Sequence, residues 1–166
     1  MHQIDPYSYF RPEVSALEAA PTIQSLLPIA LRILERMPHG VSMVCGPIST
    51  GGKGSVEENL ALFGVAIETL ASRGENIFSQ MPFERPIQRM KKTNSGLLNT
   101  FYLPIFKSGR VRRLCFLPGW ESSEGATWEH ERGVELGFEI KEFRPDFHLI
   151  EKKESLFKLH SGVFAQ

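Results

Sequence analysis

Cysteine is scarce in this sequence, with only Cys45 and Cys115 among 166 residues. Each sits inside a mostly apolar run that reads as a buried strand, where a free thiol behaves as a small hydrophobe. No paired Cys/His spacing of a zinc site is present, so neither a disulfide framework nor a zinc module is expected. Apolar runs fall far short of the ~20 residues of a membrane span. The opening MHQIDPYSYFRPE lacks the basic stretch and apolar centre of a signal peptide. A reduced, cytoplasmic protein with no membrane partner is therefore expected. Excess charge is lacking too: Lys plus Arg and Asp plus Glu are 19 each. That balance leaves no electrostatic footprint for a nucleic acid polymer. The local run Arg110, Arg112 and Arg113, with Lys91 and Lys92 upstream, reads as a solvated face. The histidines form no ligand pair at helical spacing, no Ser-His-Asp elbow is present, and no metal or organic cofactor is implied.

What is present suits one soluble globular domain. Residues 1–12 look like an irregular arm, and Tyr7, Tyr9 and Phe10 in it suit either an interface or a strap over the chain's own core. Residues 13–37 read as two helical pieces, with Pro28 opening the second and Leu27, Leu31, Leu34 and Met37 sharing its face. Val41 to Cys45 reads as a buried parallel strand. Ser55 to Arg73 reads as a helix with a Ser55/Glu58 capping box, a stripe of Leu60, Phe63, Ile67 and Leu70, and a Gly74 cap. Asn76 to Phe83 suggests a second strand and 84–96 a loop. Leu97 to Phe106 looks helical with a break at Pro104. Val111 to Leu117 is a third strand, Ser123 to Leu136 a helix closed by Gly137, and Phe138 to Phe143 a short strand. One helical turn is expected near Ser155–Leu159. This alternation predicts an α/β fold, a doubly wound (Rossmann- or flavodoxin-like) parallel sheet of four or five strands. Residues 1–40 form an N-terminal arm and helices, 41–145 the α/β domain and 146–166 a tail.

Ligands of such sheets bind beyond the carboxyl ends of the strands, where two loops carry unusual chemistry. The first, Gly46-Pro47-Ile48-Ser49-Thr50-Gly51-Gly52-Lys53-Gly54, combines glycines, hydroxyls and a cation ahead of a helix N-terminus. It suits a phosphate or a sugar, and equally a plain strand-to-helix turn. It matches neither a P-loop nor the dinucleotide fingerprint. The second runs from Leu117 through Pro118, Gly119, Trp120, Glu121, Ser123 and Gly125 to Glu129. A carboxylate at 129 leans back toward the strand ends, although acids are also favoured near helix starts by the dipole. Trp120 and Trp128 suit either stacking on a base or packing.

At these loops the chain resembles the nucleoside 2-deoxyribosyltransferase superfamily, which includes the deoxynucleoside 5′-monophosphate N-hydrolases. The similarity spans about 41–143. It rests on Gly46-Pro47-Ile48 followed by glycines, on Asn59, Phe63, Ala66, Leu70 and Gly74 along the first helix, and on Leu117-Pro118-Gly119-Trp120-Glu121-x-Ser123-x-Gly125-Ala126-x-x-Glu129. The resemblance implies an enzyme of the N-glycosidic bond. A helix glutamate attacks the anomeric carbon of the sugar, displaces the base, and passes the glycosyl group to a new base or to water. It implies Glu129 as nucleophile, with Gly46, Pro47, Ile48, Ser49, Gly51, Gly52, Ser123 and Gly125 around the sugar and any phosphate, and Trp120 beside the base. It further implies a small-molecule nucleoside or nucleotide as partner, and a homodimer or higher homo-oligomer. Gly133-Val134-Glu135-Leu136-Gly137 mimics the family's glutamate stretch, but the serine and glycine offsets fit Glu129. The chain departs from many relatives in having no aspartate between Glu84 and Glu121, and Arg110-Val111-Arg112-Arg113 stands before the third strand. That departure keeps open a non-catalytic nucleotide-binding module, or an interaction protein that retains only the fold.

Overall fold

A computed structural model describes residues 9–90 and 96–151. Lys91, Lys92, Tyr7 and the helical turn expected near 155–159 lie outside them. The sheet grows from the apolar runs that carry the two cysteines. β1 (Val41–Cys45) is buried throughout and pairs in parallel with β2 (Val111–Phe116). β2 pairs in parallel with β3 (Glu139–Phe143), and β3 pairs antiparallel with β4 (Leu149–Glu151). The result is a mixed α/β domain with an open, mostly parallel sheet of order β1-β2-β3-β4 and, among the described residues, six α-helices. Strand alternation divides the core. Val44 and Cys115 pack with α3 (Val56–Ser72) through Phe63, Ala66, Ile67 and Leu70. Met43, Cys45, Leu114, Phe116 and Ile140 join the larger cluster with the remaining helices.

Several elements depart from the sequence pattern. The strand expected over 76–83 contracts to one bridge, Ile77 beside Ser42. The chain then turns into α4 (Met81–Met90), so much of the loop expected over 84–96 is helix. Its buried positions, Phe83, Glu84, Ile87 and Met90, follow the helical period. Pro82 and Pro86 disguise that period because proline normally argues against a helix interior.

Pro28 lies inside α2 (Ile23–Arg36), not at its start. A reciprocal Thr22/Ser25 cap opens this helix five residues earlier than Pro28 and satisfies two orphan amides. The buried face is Ile23, Leu26, Ile29, Ala30, Ile33 and Leu34, with Leu27 and Leu31 only partly covered. α1 (Arg11–Ala19) precedes it and takes up part of the expected arm. Tyr9 is fully buried and donates its hydroxyl to the Ser79 carbonyl, so this part of the arm straps the chain's own core.

A π-helical turn (Leu98–Tyr102) runs straight into α5 (Leu103–Lys107). The helix widens before Pro104 instead of breaking there, and the Leu103 amide reaches the Leu98 carbonyl. α6 (Glu124–Glu135) starts at Ser123 and ends as expected, with Gly137 at φ +72°. β4 falls in the segment expected to be tail.

Candidate active site

Glu129 is the sixth residue of α6, and Ser123 fixes where that helix begins. The Ser123 hydroxyl accepts the Ala126 amide at 3.3 Å, so the second turn holds Glu129 under the strand ends. A cavity of about 210 Å³ opens there. Its rim is Gly46, Ile48, Ser49 and Thr50 from the loop after β1, and Ser123, Glu124, Gly125 and Ala126 from the start of α6. Glu129, Glu84 and Tyr102 line it as well, with Ile87, Gln88, Leu97 and Leu98. The volume lies below the roughly 300–1,000 Å³ of pockets for drug-sized ligands, so the site suits a small molecule.

The acid is strongly perturbed. Glu129 is only 7% exposed, and burial pushes its carboxyl up from the ordinary 4.5 to about 8. The Cys45 thiol acts in the opposite direction, while the nearby Glu84 charge raises the value further. The thiol itself is held far above its ordinary range by burial and by Glu129, so it serves as a donor and not as a thiolate. Tyr102 likewise stays a phenol, pushed up by burial and then by Glu84 and Glu129. The cavity thus gathers two buried carboxyls and a phenol. Such a set can attack an electrophilic carbon and pass protons. Among the described residues no cluster of His, Cys, Asp and Glu is arranged to hold a metal ion.

The loop after β1 is folded on itself. Asn59 of α3 is buried, and its amide donates to the carbonyls of Ile48 (3.0 Å) and Gly51 (3.2 Å). Its carbonyl accepts the Lys53 amide at 2.8 Å. The Gly52 amide donates to the Ser122 hydroxyl at 2.9 Å. Gly52 needs its left-handed φ of +66°, and a Cβ there would stand 2.4 Å from the Asn59 Oδ1. The loop therefore ties α3 to the second chemical loop.

The expected site residues divide. Gly46, Ile48, Ser49, Ser123, Gly125 and Glu129 share the cavity. Pro47 and Gly52 line a second cavity of about 410 Å³ with Lys53, Asn59, Leu62 and Pro118. Gly51 lines neither, and a Cβ on it would meet Ser122. Trp120 is also outside both. Its ring stacks on His130 at 4.6 Å and lies against Phe116, and its indole N–H donates to Glu142 at 3.1 Å. It is 7% exposed and packs in the larger core cluster, so the structure places it away from the lining of both cavities. Trp128 stacks on Phe106. Glu135, the competing acid, is exposed and pairs with Arg132 at 2.6 Å. Gly133 in the same motif lets α6 approach the sheet, because a Cβ there would lie 2.6 Å from Leu114.

Glu84, Tyr102 and Cys45 were not legible as site residues. The helical spacing of Phe83, Ile87 and Met90 is the signal that brings Glu84 inward. Nothing in the sequence spacing marks Cys45 as a partner of Glu129. Arg113 is anchored by Glu75 (2.5 Å) and Glu139 (2.7 Å) at the sheet surface, away from the cavity lining. No helix of the described residues is long and apolar enough to cross a membrane.

Comparison of the chain with protein-family models, curated proteins and solved structures finds no match. The site must therefore be interpreted from its own chemistry.

Proposed function

We propose that the protein cleaves or transfers the N-glycosidic bond of a nucleoside or nucleoside 5′-monophosphate, on a doubly wound fold like that of the nucleoside 2-deoxyribosyltransferase superfamily it resembles. The observation that carries this is the shared cavity of Glu129 and the loop Gly46–Thr50. In the ionised form, a Glu129 oxygen attacks the anomeric carbon as the bond to the base nitrogen breaks. The base leaves with the bonding pair and takes a proton. Water or a second base then attacks the same carbon and releases the carboxylate. Glu84 supplies a second carboxyl in reach of the cavity, in a chain that lacks the family's expected aspartate. Tyr102 offers a hydroxyl donor.

The test is base release from a panel of nucleosides and nucleotides at pH 8.5. Wild type and Glu135→Gln should release base, and Glu129→Gln should not, while still binding. Equal turnover by wild type and Glu129→Gln would overturn the assignment. A non-catalytic nucleotide-binding module is favoured by one observation: burial pushes the Glu129 carboxyl up to about 8, and a protonated acid is a poor nucleophile. Nucleotide-induced thermal stabilisation without base release at any pH would support that reading.

A further inference from the structure

We propose that the second cavity, of about 410 Å³, binds a small carboxylate with an apolar body, its charge paired with Lys53 and its body against Leu62, Leu117 and three prolines. The cavity lies beyond the carboxyl ends of β1, β2 and β3, where Pro47, Pro118 and Pro145 follow the strands. It sits on the α3 side of the sheet, since Leu117 and Leu62 belong to the smaller core cluster. Glu129 and Tyr102 do not line it. The site is thus separate from the one assigned to the N-glycosidic bond and does not depend on that reading. Its volume falls within the roughly 300–1,000 Å³ of small-molecule pockets. Its walls are stiff. Each proline fixes its own φ, and three hydrogen bonds of Asn59 brace the loop from Ile48 to Lys53. A ligand therefore orders little on entering.

The hydrogen-bond donors of the lining decide the ligand class. The three prolines have no N–H. The Gly52 and Lys53 amides are given to Ser122 and Asn59, and the Leu117 amide to the Cys45 carbonyl at 2.8 Å. The Ser122 hydroxyl donates to the Gly119 carbonyl at 2.7 Å, and the Asn59 amide donates to Ile48 and Gly51. A phosphate or a sugar needs several donors and acceptors at once, and these groups are spent. An apolar body needs none of them. The Lys53 ammonium is different: it forms no ion pair with a described acid. One carboxylate satisfies that cation while the rest of the ligand leaves water. Because Lys53 is exposed, the pair contributes as a surface pair does, and most of the affinity comes from apolar burial.

The experiment titrates 3-phenylpropanoate and its uncharged analogue 3-phenylpropanamide into the full chain, read by backbone-amide NMR shifts and calorimetry. The acid should shift Gly52, Lys53 and Gly119 and bind about fivefold tighter than the amide. Lys53→Gln, an exposed change that leaves the fold intact, should weaken the acid by about fivefold and leave the amide unchanged. Leu62→Trp, which fills the cavity, should abolish binding of both, with circular dichroism melting to verify folding. Glu129→Gln should bind the acid as wild type does, because Glu129 lines the other cavity. No binding of the acid at millimolar concentration would overturn the assignment. So would equal affinity for acid and amide, an acid affinity unmoved by Lys53→Gln, or shifts that gather around Glu129. Each of these outcomes leaves the N-glycosidic reading standing, and absence of base release leaves this site standing.

Discussion

The Cys45 thiol lowers the pKa of the Glu129 carboxyl, coupling the last residue of β1 to the second turn of α6. The contact opposes the burial that holds this acid protonated. It makes the strand end part of the site, although Cys45 does not line the cavity.

The ionised fraction of Glu129 should therefore govern the pH dependence. The kcat/KM of wild type should rise through an apparent pKa of about 8. Cys45→Ala removes a donor to the charged form and should move that limb to higher pH. Cys45→Ser keeps a donor and should move it less. A pH–rate series on the three proteins measures both shifts. Coincident limbs in all three would show that the thiol does not tune the acid.

Stability should carry the same signature. The folded-state pKa of Glu129 is raised, so between about 4.5 and 8 the folded protein holds a proton that the unfolded chain has lost. The contribution is fully present below 4.5 and is lost as pH rises to 8. Glu129→Gln should remove that slope. Against wild type it should gain on the order of a few kcal/mol at pH 9 and little at pH 4.5. Urea unfolding at the two pH values reads the difference.

Asn59 should be the stability anchor of the glycine loop. Asn59→Ala removes the side-chain partner of one amide and two carbonyls and should cost roughly 2–3 kcal/mol. Gly52→Ala should cost about 1–3 kcal/mol, through strain at positive φ and collision with Asn59. Each should also lower kcat/KM, because Ile48 and Gly51 belong to the tied loop. Thermal melts alongside base release test this, and an unchanged melting temperature would contradict it.

Two glycines of α6 should behave in opposite ways. Gly133→Ala forces a Cβ into Leu114 and Ile140 and should destabilise by about 1–3 kcal/mol. Gly125→Ala meets only the Ser123 hydroxyl at 3.8 Å. It should fold at least as well as wild type while weakening ligand binding by narrowing the rim. Comparing melting temperatures with nucleoside affinity separates the two effects.

Much of the frame follows from local pattern. The mostly apolar run of β1 and the Ser55 and Ser123 caps place their elements within a residue or two. So do the glycines at 74 and 137. Each signal is short-range and chemically specific. Capping set the register of α6, and the serine and glycine offsets of the resemblance favoured Glu129 over Glu135, an exposed partner of Arg132. Proline misled the pattern at Pro28, where a flanking cap and a buried stripe outweigh one missing hydrogen bond, and polarity misled it over 84–96, where the buried stripe of α4 runs.

By itself the sequence determined which residues could carry chemistry at the strand ends, because glycines, caps and helical lean act over a few residues. Only the tertiary structure decided which of them meet. It brought Glu84, from a segment read as a loop, and Tyr102, from one read as a helix, into the cavity of Glu129, and set Cys45 near that acid. It also turned Trp120 into the core. The reason is that burial, and with it the energy of a charge, depends on what packs from distant parts of the chain. No spacing along the chain contains that information.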